Sequence, residues 1–242
     1  MNEKIRLDKF ISNQTGVSRS ETKKLIKKGF AAVNGTAVKN AEFSVDPEND
    51  TVVFCGDTLS YKKYIYIMMN KPADVVSASR SPEERTVVDL VPDSMKRRGL
   101  FPAGRLDKDS TGFVLITDDG EFAHSVLSPS RHVPKTYLVT AETELSPENE
   151  KKFMSGVELS DGVTKPAKIT KTEKYIGGHP VYEVVLFEGR YHQIKRMFSS
   201  LGSSVLGLHR ISFGGLKLDE NLLPGECREL GSEEVAEITK NR

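Results

Sequence analysis

Residues 104–120 read GRLDKDSTGFVLITDDG and join a polar turn to a continuous apolar run. The run, FVLIT at 113–117, is typical of a strand that is buried on both faces. Helical patterns follow Ser146-Pro147 over residues 148–155 and recur over residues 190–201. Because helices and strands mix without regular βαβ alternation, the sequence predicts an α+β fold. Further apolar runs that predict strands lie at residues 64–69, 75–78, 136–141 and 181–187.

The N-terminal region has a different pattern, in which short helices precede short strands. Ser18 and Glu21 have the spacing of a capping box at the start of a second helix. Asn34-Gly35 between two apolar runs predicts a tight hairpin. With the polar stretch 56–63 as a linker, we expect a small helix and hairpin domain at 1–59 and a mixed, largely antiparallel core at 60–242. The buried face of the first predicted helix consists of Leu7, Phe10 and Ile11.

Charge is distributed unevenly along a chain that is nearly neutral overall, with 35 basic and 34 acidic residues. Between residues 4 and 28, eight basic residues face only two acidic ones. Such a segment indicates a surface for a polyanion, although a solvated helix surface has the same composition. No apolar run approaches the roughly 20 residues of a membrane span, the N-terminus lacks a signal-peptide pattern, and the two cysteines have no metal-ligand spacing. We therefore expect a cytoplasmic protein without a membrane anchor.

The polar turn at 104–112 is compatible with two kinds of site. With Asp107 as position 1 and Asp109 as position 3, the spacing is close to that of an EF-hand calcium loop. Position 12 is Asp118 instead of glutamate and FVLIT occupies positions 7–11, and these departures argue decisively against calcium. The other interpretation is a catalytic carboxylate, in which Arg105 keeps Asp107 ionised. From this segment alone, a structural Arg105–Asp107 pair is the favoured interpretation. Phosphate-binding loops, zinc motifs and nucleophile elbows are absent from the sequence.

Longer stretches resemble the pseudouridine synthases. These are NKP at 70–72, PAGRLDKDSTGFVLITDDG at 102–120, KTYLV at 135–139 and EGRYHQIKRMFSSLG at 188–202. RLDKFIS at 6–12 and VSRSETKKLIKKGFAAVNG at 17–35 are similar to the S4 domain, an RNA-binding module. Together with VTKPA at 163–167 and LPGECREL at 223–230, the resemblance covers nearly the whole chain and is to the RsuA-type family, which modifies ribosomal RNA.

The resemblance implies a role for five residues of the core. Asp107 would start the isomerisation of uridine, and Lys195 would pair with it. Arg105 would hold RNA with the target base flipped out. Tyr137 would stack on the uracil, and Ile194 would pack against the ring. Whether Asp107 attacks C1′ covalently or acts as a base stays open.

The resemblance also implies the partners of the protein. We expect a monomer that needs no cofactor and no metal. Its expected substrate is ribosomal RNA, with 16S RNA favoured, or a small-subunit assembly intermediate. A large-subunit enzyme of the same family and a non-catalytic S4-type RNA-binding protein are the alternatives; the latter has no need of Asp107, Tyr137 and Lys195. The S4 residues expected to bind RNA are Arg6, Lys9, Arg19, Lys23, Lys24 and Lys27.

Overall fold

A computed structural model describes residues 4–128, 131 and 133–240. The chain forms two units. The first comprises Met1–Ile65 and Val91–Leu100, and the second comprises Tyr66–Leu90 and Phe101–Arg242. The segment Val91–Leu100 therefore belongs with the N-terminal residues. The predicted domain limits at 59 and 60 stay a prediction.

The first unit packs two helices against a four-stranded sheet. Leu7, Phe10 and Ile11 are buried in its core, as their helical spacing predicts. Ser18 caps the second helix, since its Oγ accepts a hydrogen bond from the backbone N–H of Glu21. The hairpin at Asn34-Gly35 is confirmed. The elements are β1 (Ile5–Arg6), α1 (Leu7–Thr15), α2 (Arg19–Lys27), β2 (Ala31–Val33), β3 (Thr36–Ala37), β4 (Ser44–Val45), β5 (Val52–Phe54) and β6 (Asp57–Leu59), and the sheet order is β3-β2-β5-β6.

The second unit is built around a nine-stranded sheet. The strands of the second unit are β7 (Tyr66–Lys71), β8 (Phe101–Pro102), β9 (Thr111–Thr117), β10 (Lys135–Ala141), β11 (Glu158–Leu159), β12 (Gly162–Val163), β13 (Lys168–Ile176), β14 (His179–Leu186), β15 (Val205–Phe213), β16 (Leu216–Lys217) and β17 (Cys227–Glu229). Its helices are α3 (Gly120–Leu127), α4 (Pro147–Ser155), α5 (Gln193–Ser200) and α6 (Ser232–Thr239). Strands β11 and β12 form a separate pair.

The large sheet has the order β13-β14-β10-β15-β9-β7-β17, with β16 on β15 and β8 on β9. Strands β15 and β9 run parallel, and the other neighbours in this sheet are antiparallel. The FVLIT run lies inside β9 and is fully buried. The predicted α+β class with a mixed, largely antiparallel core is therefore confirmed.

Several predicted elements differ from the structure. Residues 75–78 form no strand; Val76 makes only an isolated bridge with Thr86, because its N–H and C=O bond to the loop at residues 85–87. The predicted helix 190–201 begins at Gln193, since His192 has a left-handed backbone. Strands β13 and β15 were not predicted. Most of β13 is exposed, so it lacks the apolar run that marks a buried strand.

Candidate active site

Three neighbouring strands connect the position of Tyr137 to the segment that carries Asp107. Tyr137 on β10 pairs with Arg210 on β15, and Arg210 pairs with Gly112 at the start of β9. Gly112 has φ +98°, and a Cβ there would lie 2.3 Å from the Arg210 carbonyl oxygen. Only glycine permits this approach. The segment that carries Asp107 therefore enters the sheet two strands from Tyr137.

Lys71 stabilises the segment around Asp107 through hydrogen bonds to its backbone. Its side chain is fully buried at the end of β7. The ammonium donates hydrogen bonds to the carbonyl oxygens of Pro72 at 3.0 Å, Lys108 at 3.0 Å and Ser110 at 2.7 Å. Burial lowers the pKa of Lys71 to about 8, against the opposing effect of nearby aspartates. Sequence analysis included Lys71 only within the NKP motif and missed this role, although a lysine at the end of an apolar strand is a signal for it.

Asp107 is held between two side chains from the region of α5. Lys195 Nζ lies 3.2 Å from Asp107 Oδ2, and His192 Nε2 lies 3.4 Å from Asp107 Oδ1. The Asp107 side chain is 26% exposed, so solvent and a ligand can both reach it. The structure thus brings Asp107 and Lys195 together across the chain, while their catalytic roles stay predictions. His192 was not singled out in the sequence.

Lys195 is shared with a second carboxylate, Asp109. Its Nζ donates to Asp109 Oδ1 at 2.7 Å and Oδ2 at 2.8 Å. Burial acts to lower the pKa of Lys195, but the hydrogen bonds to Asp109 and Asp107 outweigh it and raise that pKa. The hydrogen bond from Lys195 lowers the pKa of Asp109. Lys195 and Asp109 therefore form an ion pair beside the Asp107 carboxylate. Sequence reasoning weighed Asp109 only as a calcium ligand and missed this role.

The other three predicted site residues have different environments. Tyr137 and Ile194 are buried, at 8% and 3% exposure. Arg105 is exposed, and among the described residues it makes no ion pair with Asp107. The structure therefore does not contain the direct Arg105–Asp107 pair that the sequence suggested; Lys195 and His192 lie beside the two carboxylate oxygens instead. The Arg105 guanidinium is left accessible to a ligand.

The basic segment of the first unit is organised around one buried acid. Asp8 is fully buried and accepts hydrogen bonds from Arg6 and Arg19, while Lys23 Nζ lies 3.7 Å away. Burial acts to raise the pKa of Asp8, but the hydrogen bonds from the two arginines outweigh it and lower that pKa. This fixed cluster was missed by a count of charges. The remaining predicted RNA-binding side chains, Lys9, Lys24 and Lys27, are exposed.

Over the described ranges, no group of three or more His, Cys, Asp or Glu side chains is placed to hold a metal ion. Within the same ranges, no helix has both the length and the apolar character that a membrane span requires.

Comparison with known proteins identifies the family. Residues 65–200 match the RNA pseudouridylate synthase family. The chain belongs to that family. Residues 5–52 of this pseudouridylate synthase match the S4 domain. The predicted combination of an S4 domain with a pseudouridine synthase core is thus confirmed.

Relatives extend the match over the whole synthase. The chain is 42% identical to an uncharacterized RNA pseudouridine synthase of Bacillus subtilis, covering 96% of this chain and 97% of that one. It is 41% identical to ribosomal small subunit pseudouridine synthase A of Escherichia coli, covering 97% and 100%. A crystal structure of a pseudouridylate synthase has a TM-score of 0.65 and 36% identity, covering 97% of this chain and 99% of that chain. The predicted RsuA-type resemblance is confirmed.

Proposed function

We propose that this synthase converts a specific uridine of ribosomal RNA to pseudouridine, with Asp107 as the catalytic group. The favoured substrate is 16S RNA. The observation that carries the proposal is the position of Asp107, whose carboxylate is held by Lys195 at 3.2 Å and stays partly open to solvent. The full-length likeness to an enzyme named for the ribosomal small subunit supports the choice of substrate.

The isomerisation requires a group that can act at the ribose. The bond between C1′ and N1 breaks, the uracil rotates, and C1′ joins C5, which then loses its proton while N1 gains one. Electrons and atoms balance within the nucleotide and water, so the chemistry has no need of an external oxidant or group donor. An ionised Asp107 either attacks C1′ or removes a ribose proton. In both cases the Lys195 ammonium lies 3.2 Å from Asp107 Oδ2 and helps to fix the position of the carboxylate.

The detached base must stay in the site while it turns. Tyr137 is buried on β10, and stacking on its ring would retain the uracil while permitting rotation in the plane of the base. Ile194, on α5, would pack against the uracil ring. Because the target must leave its stack to reach Asp107, unstacking costs a few kcal/mol, which contacts elsewhere must offset. The exposed Arg105 and the basic side chains of the S4 domain supply such contacts.

We propose further that the enzyme acts as a monomer in the cytoplasm, without a cofactor, on free ribosomal RNA or on an assembling small subunit. The near-neutral net charge of +1 is compatible with either substrate, because phosphate binding depends on the local basic surface.

Mapping of pseudouridines in ribosomal RNA tests the proposal. Cells that lack the protein should lose one pseudouridine from 16S RNA, and a plasmid with the wild-type chain should restore it. A plasmid with Asp107→Asn, expressed to the same level, should not restore it. Loss from 23S RNA would assign the enzyme to the large subunit, and an unchanged pattern would contradict the proposed substrate.

A further inference from the structure

Tyr191 is an unusually exposed aromatic side chain next to the Asp107 site. It is 77% exposed, although His192, its neighbour in sequence, lies 3.4 Å from Asp107. A large apolar ring left in water loses favourable burial, so this position is unexplained by folding alone.

The ring of Tyr191 is held in place by a stack. Its centroid lies 3.8 Å from that of the His192 ring, and the two planes differ by 17°. Successive side chains point to opposite faces of an extended chain and do not face each other on a helix. Here His192 has φ +46° and ψ +36°, a left-handed conformation that brings both rings to one side. Such a backbone costs free energy outside glycine.

The residues on either side fix this turn. The Arg190 guanidinium donates to the carbonyl oxygens of Gly162 at 3.0 Å and Val163 at 2.6 Å. The Arg190 backbone N–H donates to Gln193 Oε1 at 2.9 Å, and the Gln193 amide donates to Glu188 at 2.8 Å. The stacked rings are therefore built on a rigid base. One face of Tyr191 covers His192, and the other face is open.

We propose that the open face of Tyr191 binds the base of a nucleotide next to the target uridine. This inference rests on the proposed function, since it assigns a second base-binding position to the same RNA. Every nucleobase has a π-face that stacks on an aromatic ring, so the position holds RNA without selecting one base. The target uracil itself belongs beside the buried Tyr137, whereas Tyr191 is exposed to solvent. Stacking there would compensate for the stacking that the neighbour loses when the uridine flips out.

The test is a double-mutant cycle on a short ribosomal RNA fragment that contains the mapped uridine. Tyr191→Ala should lower kcat/KM about 5- to 150-fold, the range expected for one stacked base. Tyr191→Phe should recover most of the loss, because the ring and not the hydroxyl makes the contact. Tyr175→Ala is the matched control, since Tyr175 is also exposed, at 53%, but lies on the edge strand β13. It should leave kcat/KM unchanged.

The second arm of the cycle replaces each base that flanks the uridine by an abasic site. For one flank the wild-type enzyme should lose activity by the same factor as Tyr191→Ala, and the variant should lose nothing further. Additive losses at both flanks would overturn the proposal. So would a Tyr191→Ala variant that lowers kcat at saturating RNA with unchanged RNA affinity, because Tyr191 would then only position His192. If the wild-type enzyme forms no pseudouridine in this RNA, the proposed function fails instead.

Discussion

Replacement of Lys195 by methionine should separate its electrostatic role from its structural one. The substitution keeps an unbranched side chain of similar length and removes the cation that lies 3.2 Å from Asp107 Oδ2. We expect kcat to fall at least about tenfold with RNA affinity nearly unchanged, because the charge acts on the reacting carboxylate and not on the RNA.

The magnitude follows from the geometry. Two unit charges 3.2 Å apart attract by about 1 kcal/mol in bulk water and by about 5 kcal/mol at an effective dielectric constant of about 20. The side chains are 25% and 26% exposed, so screening reduces the larger value. A tenfold change in rate corresponds to roughly 1.4 kcal/mol of activation free energy, which lies between these two values.

Asp109→Asn is the matched control, because Asp109 forms the shorter ion pair with Lys195 at 2.7 Å. If Lys195 acts through Asp107, this variant should retain turnover within a few-fold. Lys195→Arg should retain more activity than Lys195→Met, though less than wild type, since the fork of a guanidinium has a different geometry. Single-turnover kinetics at saturating RNA measure these rates. Wild-type turnover in Lys195→Met, or an equal loss in Asp109→Asn, would refute the reasoning.

Three other predictions concern the supports of the site and the RNA surface. Lys71→Met should lower the free energy of unfolding by several kcal/mol, because three carbonyl groups lose their donor at roughly 1–3 kcal/mol each. In the wild type the folded state releases the Lys71 proton near pH 8 while the unfolded state keeps it up to its ordinary pKa of 10.5. The free energy of unfolding, measured with denaturant, should therefore rise by about 3 kcal/mol between these two pH values because of Lys71, and Lys71→Met should lack this rise. An equal pH dependence of the free energy of unfolding in both proteins would contradict the prediction. Asp8→Asn should weaken RNA binding although it removes a negative charge, because Arg6 and Arg19 lose the carboxylate that orients them. Tighter RNA binding by a variant that circular dichroism shows to be folded would indicate that net charge alone matters. Activity on prefolded RNA should survive EDTA, and a loss restored by one particular divalent ion would contradict this expectation.

Local rules of the sequence predict the elements whose signals are contained in a few residues. Ser18 caps α2, Asn34-Gly35 turns the hairpin and FVLIT lies in a buried strand, because each depends on near neighbours or on continuous burial. Strand β13 carries no such signal. Its exposed side chains leave pairing with β14 as the main cause of its conformation.

The contacts of the candidate site lie beyond local rules. The resemblance to known synthases implied the pair of Asp107 and Lys195, but the spacing of residues did not. Asp109 and His192 join the same cluster through contacts that depend on the position of α5 against the Asp107 segment. In the first unit, Asp8 counts as one negative charge in the sequence, whereas burial makes it the centre of a basic cluster.

The central claim is that the Asp107 carboxylate performs the isomerisation, and Asp107→Asn tests it most directly. The substitution keeps the volume of the side chain and removes its charge. Purified wild-type and variant proteins should be compared on 16S RNA by direct counting of pseudouridine, with RNA affinity measured in parallel. We predict that the variant forms no pseudouridine while its RNA affinity stays within a few-fold of wild type. Pseudouridine formation by Asp107→Asn at a rate near that of the wild type would contradict the account.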